Sequence, residues 1–260
     1  MNQHTNFDTA AATHVGKVRS QNEDNFIARP EIGLWCVADG MGGHDAGGLA
    51  SAAIVEMLKK LEPPDSAASL LKSCQDGLFE ANRSIRSIAA ERGLQTIGST
   101  VVILLVSGNH FVTLWAGDSR IYRVRRGIIS QITRDHSEAQ EMIDKGLLSE
   151  EDARNYPRRN VITRAIGVFE EPEIEMQHGE VEAGDIFVLC SDGLTGHVEA
   201  AEIASYVVST PAVVSCDQLI QLTLERGASD NVTVSVVRYK AEEDTLVRLA
   251  TPAPPGAAWD

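Results

Sequence analysis

Leu34-Trp35-Cys36-Val37-Ala38-Asp39-Gly40 is a short apolar run that ends on an acid and a glycine. Its length and its mix of aromatic and β-branched residues suit a strand rather than a helix. The same pattern recurs along the chain. Leu114-Trp115-Ala116-Gly117 runs into Asp118-Ser119, and Phe187-Val188-Leu189-Cys190-Ser191 runs into Asp192-Gly193. Asp230-Asn231 instead opens the run Val232-Thr233-Val234. In an antiparallel sheet the end of one strand lies beside the start of its neighbour. Asp39, Asp118, Asp192 and Asp230 are therefore expected to gather at one edge of the fold. One Asp-Gly after a strand is ordinary turn chemistry; four acids at strand termini, with few basic residues near them, form a pattern. Crowded carboxylates repel unless a cation intervenes. Oxygen donors without His or Cys select hard ions such as Mg²⁺, Mn²⁺ or Ca²⁺, and no EF-hand loop is present to single out calcium.

Outward from these runs, strands are predicted over residues 33–38, 99–106, 110–116, 120–125, 186–190 and 232–237. Gly108-Asn109 and Arg126-Gly127 are turns between neighbours, so the sheets are mostly antiparallel. Residues 186–190 are apolar throughout, as a strand covered on both faces would be. Two helices are predicted. One spans 46–61, with Ile54, Leu58 and Leu61 on one face, and Pro63 and Pro64 end it. The other spans 66–92, where Leu71, Cys74, Leu78, Ala81, Ile85 and Ile88 make one buried stripe. Strands packed on strands with helices outside is the architecture this implies. Residues 1–12 read as a polar lead-in, 13–240 as one domain, and 241–260, with Pro252, Pro254, Pro255 and Gly256, as a frayed tail.

The chain has 260 residues, 43% hydrophobic and 23% charged, which is ordinary for a globular protein with a real core. Its net charge of −14 disfavours nucleic acid and anionic membrane surfaces. Cys36, Cys74, Cys190 and Cys216 form no Cys-x-x-Cys pair and read as reduced core residues. There is no His-Glu-x-x-His zinc pattern. The first dozen residues lack the features of a signal peptide, and the longest aliphatic run, 101–106, is too short to span a bilayer, so a cytoplasmic protein is expected. The glycine-rich stretch from Gly40 places Asp45 where a dinucleotide loop needs its third glycine, and no Gly-Lys-Ser/Thr follows. Ser119 lacks the Gly-x-Ser-x-Gly elbow of an esterase.

Eight stretches, in order, resemble the metal-dependent protein phosphatases of type 2C in their compact bacterial form. They are Gly16-Lys17-Val18-Arg19-Ser20-Gln21-Asn22-Glu23-Asp24, Val37-Ala38-Asp39-Gly40-Met41-Gly42-Gly43, Gly98-Ser99-Thr100, Ala116-Gly117-Asp118-Ser119-Arg120, Thr133-Arg134-Asp135-His136-Ser137, Ile162-Thr163-Arg164-Ala165-Ile166-Gly167, Ser191-Asp192-Gly193-Leu194 and Ser229-Asp230-Asn231-Val232-Thr233. Each is loose alone; all of them in order are specific. The resemblance implies an α+β fold, two stacked antiparallel β-sheets flanked by helices in an αββα sandwich, with a flap over about 135–160 near the site.

It also implies roles. Asp39 would bridge two Mn²⁺ or Mg²⁺ ions, with Asp192 and Asp230 completing one set of ligands. Glu23 and the Gly40 carbonyl would serve the other ion. Asp118 and Asp192 would help hold a third, weaker one. Arg19 would grip the substrate phosphate, and Asp24 and Asn231 would support the ligands. A metal-activated water would attack phosphorus directly. The implied partners are phosphorylated Ser/Thr proteins, a cognate Ser/Thr kinase and its targets, met by a monomer. Some relatives carry His after the Asp-Gly pair as general acid; here that position is Met41, leaving a bound water or His44 as candidates. Two other readings compete: a catalytically dead binding module, disfavoured because every matched acid is present, and a hydrolase of small phosphomonoesters.

Overall fold

The computed structural model describes residues 6–42, 46–94 and 96–240. In chain order the strands are β1 (Phe7–His14), β2 (Asp24–Arg29), β3 (Leu34–Gly42), β4 (Ile97–Ser99), β5 (Val101–Ser107), β6 (His110–Ala116), β7 (Arg120–Arg125), β8 (Ile128–Gln131), β9 (Glu175–Glu180), β10 (Ile186–Cys190) and β11 (Val232–Tyr239). The helices are α1 (Gly47–Lys59), α2 (Ala67–Glu91), α3 (Glu138–Asp144), α4 (Glu150–Ala153), α5 (Asp192–Thr195), α6 (Ala200–Val208) and α7 (Ala212–Glu225).

One sheet has the order β1-β11-β10-β7-β8, and the other β2-β3-β5-β6-β9 with β4 added to β3. All the named pairings are antiparallel. The expected sandwich is what forms, and alternation within each strand explains it. On β3, Leu34, Cys36 and Ala38 turn outward and pack with Ile54 and Leu58 of α1 and Leu78 and Ile85 of α2. Trp35 and Val37 turn inward and meet Leu104, Trp115, Phe187 and Leu189 between the sheets. On the far side Val188, Cys190 and Val234 pack under Ile203 of α6 and Leu219 of α7. A strand with an apolar layer on each face has no polar side to show, which is why these runs read as continuous.

The helices begin and face as their sequences dictate. Ser66 caps α2, its side chain accepting from Ser69 N–H while the Ser69 hydroxyl takes Ser66 N–H. The buried stripe is Leu70, Cys74, Leu78, Ala81, Ile85 and Ala89. Leu71 and Ile88, expected within it, are half-buried at its border.

The lead-in expected over residues 1–12 is corrected from Phe7 onward. β1 pairs along its whole length with β11, from Phe7 opposite Tyr239 to His14 opposite Val232. Its Ala-Thr composition looks like a loop, but Phe7 stacks edge-on against Trp35 at 4.7 Å, and Thr9 Oγ1 accepts the Trp35 indole N–H. The predicted strand over 99–106 is interrupted at Thr100, with β4 before it and β5 after it. Residues 1–5 and the tail over 241–260 lie outside the described residues.

Candidate active site

The four strand-end acids converge, and they do so across both sheets. β3 and β6 bring Asp39 and Asp118 from one sheet; β10 and β11 bring Asp192 and Asp230 from the other. Asp24, at the start of β2, stands directly opposite Asp39 in the register. The Asp39 and Asp192 carboxyls lie within hydrogen-bonding reach of each other. Asp39 and Asp192 keep a face open to the site, whereas Asp24 and Asp118 are buried.

The electrostatics follow from this crowding. Burial first, then Asp24, Asp192, Asp118 and Asp230, raise the Asp39 carboxyl well above the usual carboxylate range. Burial and then Asp192 and Asp135 push Asp118 up to about 8. Burial raises Asp24 to about 6, against hydroxyl bonds that favour its charged form. Asp192 is raised by burial and then by Asp230. Acids that cannot all ionise side by side are a site waiting for positive charge.

Particular neighbours fix each acid. Thr100 Oγ1 accepts the Asp39 N–H at 3.1 Å and bonds Ser119 Oγ at 2.7 Å, tying Asp39 to the residue after Asp118. Asp24 Oδ2 accepts from Ser191 Oγ at 2.8 Å and Thr233 Oγ1 at 2.7 Å, so one carboxylate straps β2 to the strands that carry Asp192 and Asp230. Asn231 accepts Glu23 N–H through Oδ1 and donates through Nδ2 to Val15 O and Gln21 O, each at 2.8 Å. It thereby holds the 15–23 loop against Asp230. Gly40 and Gly47 pack backbone to backbone, and a Cβ on Gly40 would lie 2.2 Å from Gly47 O. That approach sets the first turn of α1 over the acids, where Gly48 N–H donates to Glu23 Oε1 at 3.2 Å.

Arg19 is half-exposed and donates through Nη2 to Asp230 Oδ2 at 2.7 Å. Arg120 forks onto Asp135, with Nε and Nη2 at 2.9 and 2.7 Å, and sits close enough to favour the charged forms of Asp118 and Asp192. Among the described residues no three His, Cys, Asp or Glu side chains already form a closed cage for an ion. Glu23 and Asp230 are turned toward Gly48 and Arg19 instead. The donor set nonetheless fits a hard divalent cation: it consists of oxygens, and Asp24 Oδ1 and Asp118 Oδ1 are buried with no hydrogen-bond partner. Met41 turns toward Gly98, and His44 lies outside the described residues.

Sequence reading named the acids but gave no role to Thr100, Ser191, Thr233 or His136. All four sit inside the matched motifs, beside the acids in sequence or across a strand pair. His136 is buried, with its ring stacked on Trp115 and its pKa lowered by burial and then by Arg164. The segment over 135–160 holds α3 and α4. Arg154 reaches from it to Glu199, the N-cap of α6, at 3.2 Å.

Comparison with known proteins is consistent with this geometry. The family model described as "Protein phosphatase 2C" matches residues 16–232. Serine/threonine protein phosphatase PstP of Mycobacterium tuberculosis is 36% identical over 229 residues, covering 87% of this chain and 44% of the relative. The chain thus spans less than half the length of that protein. Among solved structures, PppA, "a key regulatory component of T6SS in Pseudomonas aeruginosa", is 41% identical with a TM-score of 0.83, covering 89% of this chain and 97% of that one. The catalytic domain of PstP in complex with two manganese ions is 34% identical with a TM-score of 0.81, covering 89% and 97%.

Proposed function

Because this chain belongs to the protein phosphatase 2C family, we propose that it is a serine/threonine protein phosphatase that hydrolyses phosphoserine and phosphothreonine with two bound Mn²⁺ or Mg²⁺ ions. The observation that carries this reading is the cluster of raised, mutually facing carboxyls around Asp39, two of whose buried oxygens have no partner. Asp39, Asp192 and Asp230, with Glu23 and the Gly40 carbonyl, are the residues we assign to the two ions, and Asp118 with Asp192 to a third. When bound, the ions lower the pKa of a water and offset charge on the phosphoryl group.

The protein's own groups do the rest. Arg19 offers a fork of donors to the phosphate oxygens, and Asp230 holds that fork at the rim of the cluster. Thr100, Asp24 and Asn231 keep the acids aimed at a common centre. Such preorganisation is the main contribution a scaffold makes to phosphoryl transfer. Met41 has no proton to give, so water or His44, which lies outside the described residues, would protonate the leaving Ser or Thr oxygen.

We assign the phosphatase domain to residues 7–240, β1 included, with the flap over 135–160 selecting substrate, and propose a cytoplasmic monomer. The four cysteines, all buried and free, support a reducing compartment. A cognate Ser/Thr kinase and its targets are the proposed substrates. The likeness to PppA makes phosphoproteins that control a secretion system the first to try. Turnover of p-nitrophenyl phosphate and of a phosphothreonine peptide, in Mn²⁺, in EDTA and in Asp192→Asn, tests the reading. Activity in Mn²⁺ and its loss in the other two are expected; full turnover in EDTA rejects it. Small esters hydrolysed far better than any phosphopeptide would favour a hydrolase of small phosphomonoesters.

A further inference from the structure

Gly117, the residue before Asp118, is a point of conformational freedom at a place that needs none. Its φ is 110°, and a Cβ there would lie 2.6 Å from Thr100, so no other residue fits. Glycine is also the least restrained residue, and rotation about it swings the Asp118 carboxylate directly. Asp118 Oδ1 has no hydrogen-bond partner of its own to oppose that swing.

His136 supplies the restraint. Its backbone N–H donates to Gly117 O at 2.9 Å, and its ring Nδ1 accepts Gly117 N–H at 3.2 Å, so both polar groups of the glycine are held by one residue. For Nδ1 to accept, the ring proton sits on Nε2, which has Glu175 Oε1 and Arg164 Nη1 each at 3.3 Å, and of the two only the carboxylate can take that proton. Arg164 Nη1 donates to the same Glu175 oxygen at 2.5 Å, and Trp115 stacks on the ring. The flap's two ends meet at this point as well. Thr163 N–H donates to His136 O and Glu138 N–H to Val161 O, both at 2.9 Å, and Ser137 and Ile162 form a β-bridge.

We propose that His136 is a positioning residue that aims Asp118 at a divalent cation on the flap side of the site, so that removing its Nδ1 acceptor weakens one ion and spares the others. This rests on the assignment of Asp118 as a ligand. Loss of a partner in the second layer around a metal typically costs about 10–100-fold in affinity.

The test is Mn²⁺ binding to the metal-free full chain, followed by calorimetry and by the electron paramagnetic resonance of free Mn²⁺, with thermal melts to check folding. The variants are His136→Leu, His136→Gln, His136→Asn and Asp118→Asn. Asparagine places an oxygen near the position of Nδ1 and keeps the acceptor; glutamine places it near Nε2 and does not. His136→Leu and His136→Gln should weaken the loosest Mn²⁺ site by about 10-fold or more, as Asp118→Asn does, while His136→Asn restores it. Full Mn²⁺ occupancy in His136→Leu while Asp118→Asn loses a site would overturn the role of His136 alone. Asp118→Asn keeping every site would instead remove Asp118 from the ligands. A folded His136→Leu that loses all sites equally, or a His136→Asn that behaves like His136→Leu, would also overturn it.

Discussion

Mn²⁺ should stabilise the metal-free protein far more at pH 8 than at pH 5.5. Burial, then Asp192 and Asp135, hold the Asp118 carboxyl at about 8. Burial, then Asp192 and Asp230, act against the hydroxyls of Thr233 and Ser191 to leave Asp24 at about 6. Both values exceed the unfolded value of roughly 3.9. The folded protein therefore binds more protons than the unfolded one from about pH 4 upward, and without metal its stability falls as pH rises through about 8. A bound cation reverses this, because it needs the carboxylates without their protons. At pH 5.5 Asp118 lies roughly 2.5 units below its pKa of about 8. At about 1.4 kcal/mol per unit, expelling that proton costs roughly 3 kcal/mol, or a few-hundredfold in affinity for an ion that uses Asp118. In a domain of this size each kcal/mol moves Tm by roughly 2–4 °C. The gain in Tm at one fixed Mn²⁺ concentration should then be larger at pH 8 by roughly 6–12 °C. Scanning calorimetry in EDTA and in Mn²⁺ at the two pH values measures it. Equal gains at both, or a metal-free Tm that climbs from pH 5.5 to pH 8, would refute the charge-crowding account.

Three further outcomes follow from single contacts. Asp192→Asn removes a like charge beside Asp39 and Asp230, so it should raise Tm in EDTA while cutting p-nitrophenyl phosphate turnover by more than about 100-fold, beyond what an outer partner costs; a lower Tm in EDTA contradicts it. Asn82 is buried on α2, donating to Phe169 O and Glu170 O and accepting Gly167 N–H. Asn82→Leu should cost roughly 2–4 kcal/mol in urea unfolding, since three backbone groups lose their partner. Phe187 lies fully buried between the sheets, its ring centroid 5.1 Å from that of Phe111; Phe187→Ala should cost about 3–5 kcal/mol by the same measurement.

Legibility followed burial and chemistry. Strands such as β3, β6 and β10 were plain because layers on both faces demand unbroken apolar runs. α2 was plain because twenty-five residues give its stripe room to repeat. β1 and β9 were not. They are edge strands, Phe7–His14 and Glu175–Glu180, whose pairing is made by backbone and whose side chains stay partly exposed. α6 went unseen because nine residues are too few for a stripe to repeat, and α7 because it follows Pro211 with no polar side-chain cap to mark its start. The acids were legible because strand ends are visible in sequence. Their supports were less so: Asp24 meets Thr233 across 209 positions, and His136 meets Gly117 across 19. Such pairings exist only once the two sheets are stacked.

The Ser137–Ile162 bridge has a bearing on how this protein can vary. A segment that departs and returns through adjoining backbone positions behaves as a cassette. Lengthening it adds a closure penalty that grows only with the logarithm of its size, and the body beneath keeps its own hydrogen bonds. The scaffold can therefore accept a longer, shorter or differently charged insert at that neck without refolding.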